Sequence, residues 1–224
     1  MPEEILISGN TVELRVVNIT KTVPIELFKN SLATSFGVET PIIPRKAIYY
    51  KAFKDKTWFL TELEPGIRVI KYRPKDTTLR EFKLAFPWTY FLSRFINRAL
   101  DRLFVFFSPS KLNDIEDMLY HAPITNLNSQ SGVCLGNGLR FNIEGNFRIK
   151  LTRLENYFFE SEFNRDIPQQ YENKMPREIK EAKLGSEIFY ETWHRLTEAG
   201  ISHAAFTWEA YETLEEIMEE ESAG

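Results

Sequence analysis

From Lys46 to Phe86 the chain reads as β-prone runs separated by tight turns, and this pattern constrains the fold more than any other feature. Ala47 to Phe53 and Thr57 to Leu63 flank Lys54-Asp55-Lys56, which has the character of a hairpin turn. Pro65-Gly66 marks a second turn before Ile67 to Tyr72. Leu79 to Phe86 alternates, with Leu79, Glu81, Lys83 and Ala85 set against Phe82, Leu84 and Phe86. That period of two belongs to a half-buried strand. Strands joined by short turns favour an antiparallel meander. Helical spacing dominates only later, in Leu151 to Phe163, Arg177 to Thr197 and His203 to Glu219. Strands, then a long loop, then helices predict an α+β fold: a meander of about four strands within residues 46–108, flanked by helices after residue 150.

Ahead of this core, Ile5-Leu6-Ile7 and Thr11 to Val17 surround Gly9-Asn10, the signature of a β-hairpin. Pro24 to Phe36 reads as a short helix with Gly37 just past its end. Pro41-Ile42-Ile43-Pro44 interrupts the pattern, so residues 1–45 form an N-terminal extension (hairpin plus helix) and residues 46–224 the core. Pro87 to Phe107 supports two readings. Trp88, Phe91, Leu92, Phe95, Ile96, Ala99, Leu100 and Leu103 recur at helical spacing, yet Trp88 to Phe95 and Leu103 to Phe107 also read as two strands. Periodicity favours a helix in the middle and a buried strand at Phe104 to Phe107. Arg94, Arg98 and Arg102 read as a solvated face before they read as an anion site. Asp114 to Tyr120 reads as a helical turn, and Ala122 to Gly138, rich in Asn, Ser and Gly, as a loop.

Composition excludes several classes. With 43% hydrophobic and 27% charged residues the chain is not disordered, and its 18 Phe, 9 Tyr and 4 Trp predict an aromatic core. A net charge of -4 gives no general attraction to nucleic acid or anionic lipid. The acidic start Met1-Pro2-Glu3-Glu4 has no basic leader region, and the most apolar stretch, Phe82 to Phe107, is broken by Arg94, Arg98, Asp101 and Arg102. No membrane segment is expected. A single cysteine makes no internal disulfide, which fits a reducing, cytoplasmic setting. Glycine-rich phosphate loops and the nucleophile-elbow pattern are absent from the sequence. His121, His194 and His203 fall in different elements, with no ligand spacing to Cys134, so neither metal nor cofactor is expected. Glu215-Glu216 and Glu219-Glu220-Glu221 read as a solvated helix end.

The segment from His121 to Gly136 stands apart, because it puts Cys134 after a Gly-Val step in a polar loop. A free cysteine is most often a small buried hydrophobe, whereas a nucleophilic thiolate must be reachable. The run Asn126-Leu-Asn-Ser-Gln-Ser-Gly-Val-Cys134-Leu resembles the active-site segment of ubiquitin-conjugating enzymes, with the asparagine eight residues before the cysteine. It is more similar still to prokaryotic relatives, the group that includes PRTRC system protein B. Leu119-Tyr120-His121-Ala122-Pro123-Ile124-Thr125-Asn126 followed by Gly132-Val133-Cys134-Leu135-Gly136 carries that likeness, which spans roughly residues 46–165. In this chain Ile124-Thr125 separates Ala122-Pro123 from Asn126, and the glycine stands two residues before the cysteine rather than three.

The resemblance implies a ubiquitin-conjugating-like core in which Cys134 carries a ubiquitin-like modifier as a thioester and passes it to an amine. It implies an adenylating activating enzyme and a ubiquitin-like modifier as partners, with an isopeptidase as a further one, and neither nucleic acid nor membrane. Asn126 would stabilise the oxyanion of the tetrahedral intermediate, or order the loop by bonding local backbone, or both. His121 would help deprotonate the amine, against its reading as a packing histidine. The competing reading is a catalytically inactive module of the same fold that serves binding or assembly in a phage or mobile element, with Cys134 incidental.

Overall fold

The computed structural model describes residues 4–8, 11–16, 19–24, 44, 46–73, 78–134, 145–164, 186–200 and 208–223. The chain divides into two compact units: Met1–Ile42 with Ala52–Asp55, and Ile43–Lys51 with Lys56–Gly224. In the first unit, β1 (Glu4–Ser8), β2 (Thr11–Val16) and β3 (Ile19–Pro24) form an antiparallel meander. The expected hairpin is present, and β3 adds a strand that sequence reasoning did not mark. Its Ile19, Thr20, Thr22 and Val23 are β-branched and suit a pleated surface. The helix expected from Pro24 to Phe36 lies outside the described residues beyond Pro24.

The second unit is α+β. Residues 46–108 carry six strands: β4 (Ala47–Phe53), β5 (Lys56–Leu63), β6 (Gly66–Tyr72), β7 (Arg80–Phe86), β8 (Trp88–Ile96) and β9 (Ala99–Ser108). The chain adds β10 (Met118–His121), α1 (Phe147–Glu160), β11 (Glu162–Phe163), α2 (Ser186–Glu198), β12 (Ala210–Thr213) and α3 (Leu214–Ala223). The main sheet has six strands in the order β12-β10-β9-β8-β5-β4. A second sheet, β11-β6-β7, is built on β6 and β7, the excursion the chain makes between β5 and β8. Its β6–β7 hairpin is antiparallel over seven residue pairs, and β11 joins β6 in parallel.

Three local expectations are corrected. The stretch from Pro87 to Phe107 is not helical in its middle: β8 and β9 form a hairpin closed by Asn97 and Arg98, both at positive φ (48° and 66°). Two consecutive left-handed residues make the tight turn whose twist matches antiparallel strands. Apolar residues on both faces of a central strand imitate helical spacing, which is why periodicity misled here. Asp114 to Tyr120 is a turn followed by β10, not a helical turn. Within His203 to Glu219, residues 210–213 are a strand pairing with β10. Helix α3 starts only where Thr213 and Glu216 bond reciprocally: Thr213 Oγ1 accepts Glu216 N–H (3.2 Å) and Glu216 Oε2 accepts Thr213 N–H (2.9 Å).

Strand alternation separates two cores on opposite faces of the main sheet. On one face Phe59, Phe91, Phe95, Leu103, Val105 and Phe107 meet Leu151, Leu154 and Phe158 of α1 and Phe189, Tyr190 and Trp193 of α2. On the other, Trp58, Leu60, Tyr90, Leu92, Phe104 and Phe106 meet Leu119 and Leu214, Ile217 and Met218 of α3.

Candidate functional site

The segment from Asn126 to Cys134 returns along the same edge of β9 that β10 occupies further up. β10 pairs there through Tyr120 with Phe107 and His121 with Phe106. The loop continues the line. Ser131 O accepts Val105 N–H (3.0 Å), Gly132 bridges Phe104, and Val133 N–H donates to Leu103 O (2.7 Å). The loop also folds on itself: Leu127 bridges Val133, Asn128 N–H donates to Gly132 O (2.9 Å), and Cys134 N–H donates to Asn126 O (2.8 Å). Asn126 and Ser131 take left-handed backbone, φ 67° and 60°. Asparagine tolerates that region because its short amide bonds locally.

Side chains fix this miniature hairpin. Asn128 Oδ1 accepts the amides of Gln130 (3.0 Å) and Gly132 (2.8 Å). A β-carbon at Gly132 would lie 2.9 Å from Asn128 Nδ2, so glycine here answers a close approach. Ahead of the loop, Ala122, Pro123, Ile124 and Thr125 are buried, and Thr125 N–H donates to the Tyr190 hydroxyl of α2 (2.9 Å). The Ala-Pro element therefore anchors the loop in the core.

The three candidate residues are placed differently. Cys134 is exposed. Val133 packs on the first core, so the next residue of an extended segment faces the other way. The pairing of Gly132 with Phe104 puts Cys134 in register opposite Arg102, which stands opposite Arg94, which stands opposite Trp58. By that register Arg102 lies across from Cys134 on β9 and Arg94 one strand further on, on β8. Arg94 is paired with Asp101, its Nε 2.6 Å from the carboxylate. In the sequence Arg94 and Arg102 read as a solvated face before an anion site, because their position relative to Cys134 depends on strand register.

Asn126 and Cys134 are brought together through their backbones. The Asn126 carboxamide turns towards β11, where Nδ2 donates to Glu162 O (3.0 Å) and Oδ1 accepts Asn164 N–H (3.1 Å). It ties the loop to the second sheet. One Nδ2 hydrogen remains beyond these two bonds. His121 stands elsewhere. It is half-buried, its Nδ1 lies 2.7 Å from Ser131 Oγ, and its ring meets Tyr211 edge-on at 4.7 Å. Its register position, Phe106, is four residues along β9 from that of Cys134, or about 13 Å at strand rise. Among the described residues, no cluster of His, Cys, Asp or Glu suits a metal ion. Also among them, no helix is long and apolar enough to cross a membrane. Gly136 and His203 fall outside the described residues. No protein-family model, no curated protein and no solved structure matches this chain.

Proposed function

We propose that the chain is a ubiquitin-conjugating-like acyl carrier in which Cys134 takes a ubiquitin-like protein as a thioester and yields it to an amine. One observation carries this reading: the sole cysteine is exposed, beside a backbone held by hydrogen bonds to itself and to β9. A positioned, reachable thiol is what a carrier needs. In the first step the Cys134 sulfur attacks the activated carbonyl held by an adenylating enzyme, a C–S bond forms, and the donor's leaving group departs. In the second an amine attacks the thioester carbonyl, the C–S bond breaks, and the thiolate returns. Asn126 fixes the loop through its bonds to Glu162 and Asn164, and in this reading the oxyanion would take the Nδ2 hydrogen that those bonds leave over.

A second reading, a catalytically inactive binding or structural module, is favoured by the same geometry at two points. The Asn126 carboxamide is bonded to β11, and His121 is held by Ser131, away from the thiol. A non-reducing gel separates the two. With the cognate activating enzyme, modifier and ATP, the wild type is expected to form a reductant-sensitive adduct. Cys134→Ser is expected to give a reductant-resistant ester or nothing. Asn126→Ala is expected to charge but to transfer about 10²–10³-fold more slowly. No adduct at Cys134 leaves the binding module as the reading.

A further inference from the structure

We propose that the open edge of β6 receives an extended acidic peptide of a partner protein, added to the second sheet as a further strand. This is independent of the chemistry at Cys134. The β6–β7 hairpin decides which backbone groups are concerned. On β7, Ala85 N–H and C=O and Lys83 C=O turn away from β6 to meet Thr197, Trp193 and His194 of α2. Their partners across the hairpin, Ile67 and Val69, therefore turn their own N–H and C=O to the opposite side. β11 lies on that side, but its register takes in only Lys71 and Tyr72. Among the described residues nothing else bonds to that edge, so the N–H and C=O of Ile67 and Val69 are open. The slot from Gly66 to Ile70 is about 16 Å long.

Unpaired N–H and C=O groups at strand spacing select a polypeptide backbone. The side chains select its sequence. Ile67 is 60% exposed and Val69 42%, both on one face of β6. Ile67 is the most exposed large apolar residue among those described. The whole chain carries a net charge of -4, yet the strands of this sheet hold Arg68, Lys71, Arg80 and Lys83 against Glu81 and Glu162. Ion pairs with Arg73 and Glu191 occupy Glu162 and Arg80. Arg68, Lys71 and Lys83 are left without an ion pair among the described residues. Glu81 stands on β7, one strand further from the open edge than Arg68 and Lys71, and Glu64 lies just before β6.

A segment laid along β6 sets alternate side chains beside Ile67 and Val69 and the others beside Arg68. Alternating apolar and acidic residues satisfy both. A second copy does not fit: where Ile67 of one copy pairs with Val69 of the other, Arg68 opposes Arg68.

Amide exchange followed by NMR on the full chain tests this. In the free protein Arg68 and Ile70, bonded to β7, are expected to exchange slowly, and Ile67 and Val69 fast. Slow exchange of Ile67 and Val69 in the free chain means that the edge is already filled, and overturns the proposal. A peptide of about seven residues alternating valine with aspartate is then added at about 50 mM salt. It is expected to protect those two amides, and to bind at least about tenfold more weakly at about 500 mM salt. The same peptide with lysine for aspartate is expected to bind at least about tenfold more weakly. Binding that leaves Ile67 and Val69 unprotected, no binding at about 2 mM peptide, or equal binding of the lysine peptide overturns the proposal. Arg68→Glu with Lys83→Glu is expected to reverse the preference between the two peptides, and an unchanged preference overturns it. Should that variant lose its cooperative thermal melt, Ile67→Ser decides, since it removes only an exposed anchor. It is expected to weaken binding of the aspartate peptide at least about threefold, and unchanged binding rejects the edge as a docking site.

Discussion

Asn126 shows how one residue can order a loop from two sides. Its backbone oxygen holds the Cys134 amide and its carboxamide holds β11, so replacing it loosens the loop from two sides. Gly132 is as tightly specified. In Gly132→Ala the new methyl group meets the Asn128 amide, which must give up its bonds to Gln130 and Gly132. A loss of about 1–3 kcal/mol in a urea melt is expected, with Cys134 alkylation altered relative to the wild type. Tyr90 offers a pH marker. Burial in the second core, opposed by the Leu112 N–H it accepts (2.8 Å) and assisted by Glu62, pushes its phenol up to about 12. The folded value is above the unfolded value of about 10, so the stability this group contributes is complete below pH ~10 and is lost as pH rises through ~12. Absorbance titration at alkaline pH is expected to show one tyrosine ionising about two units late, and that step is expected to vanish in Tyr90→Phe.

At the scale of elements, α2 does for β7 what another strand would do. His194 Nδ1 stands 2.9 Å from Lys83 O, Thr197 Oγ1 accepts Ala85 N–H (2.9 Å), and Trp193 Nε1 donates to Ala85 O (3.2 Å). A sheet edge is thereby satisfied by helix side chains, and is closed to strand addition. Thr197→Val keeps the shape but leaves the Ala85 amide without its acceptor. A destabilisation of about 1–3 kcal/mol by thermal or urea melt is expected. Thr197→Ser, which restores the hydroxyl, is expected to recover most of it. At the start of α3, Glu216 is held below the usual carboxylate range by the Thr213 N–H and hydroxyl. The cap is therefore complete above the unfolded Glu value and weakens as pH falls through the depressed one.

Across the second unit, β5, β8 and β9 lie at the centre of the main sheet and face both cores, whereas β12 is an edge of four residues. Amide exchange is expected to be slowest in β5, β8 and β9, near the global unfolding limit, and much faster in β12. A charged maleimide is expected to label Cys134 in the native protein at a rate close to that of an exposed thiol, and strong protection would speak against the site. Much of this arrangement follows from local pattern. Turn residues and period-two alternation mark β4 to β7 and the α+β order, and the spacing of Leu151, Leu154 and Phe158 marks α1, because these are short-range consequences of backbone geometry. The loop that holds Asn126 and Cys134 is likewise legible in its Asn, Ser and Gly content. Local pattern does not separate β8 and β9 from a helix, since a strand buried on both faces loses its alternation. Nor does it reveal the bond from Asn126 to β11, the separation of His121 and Cys134 along β9, or the register that sets Cys134 across from Arg102. Those depend on strand register and on contacts between residues far apart in the chain, which only the packed tertiary structure decides.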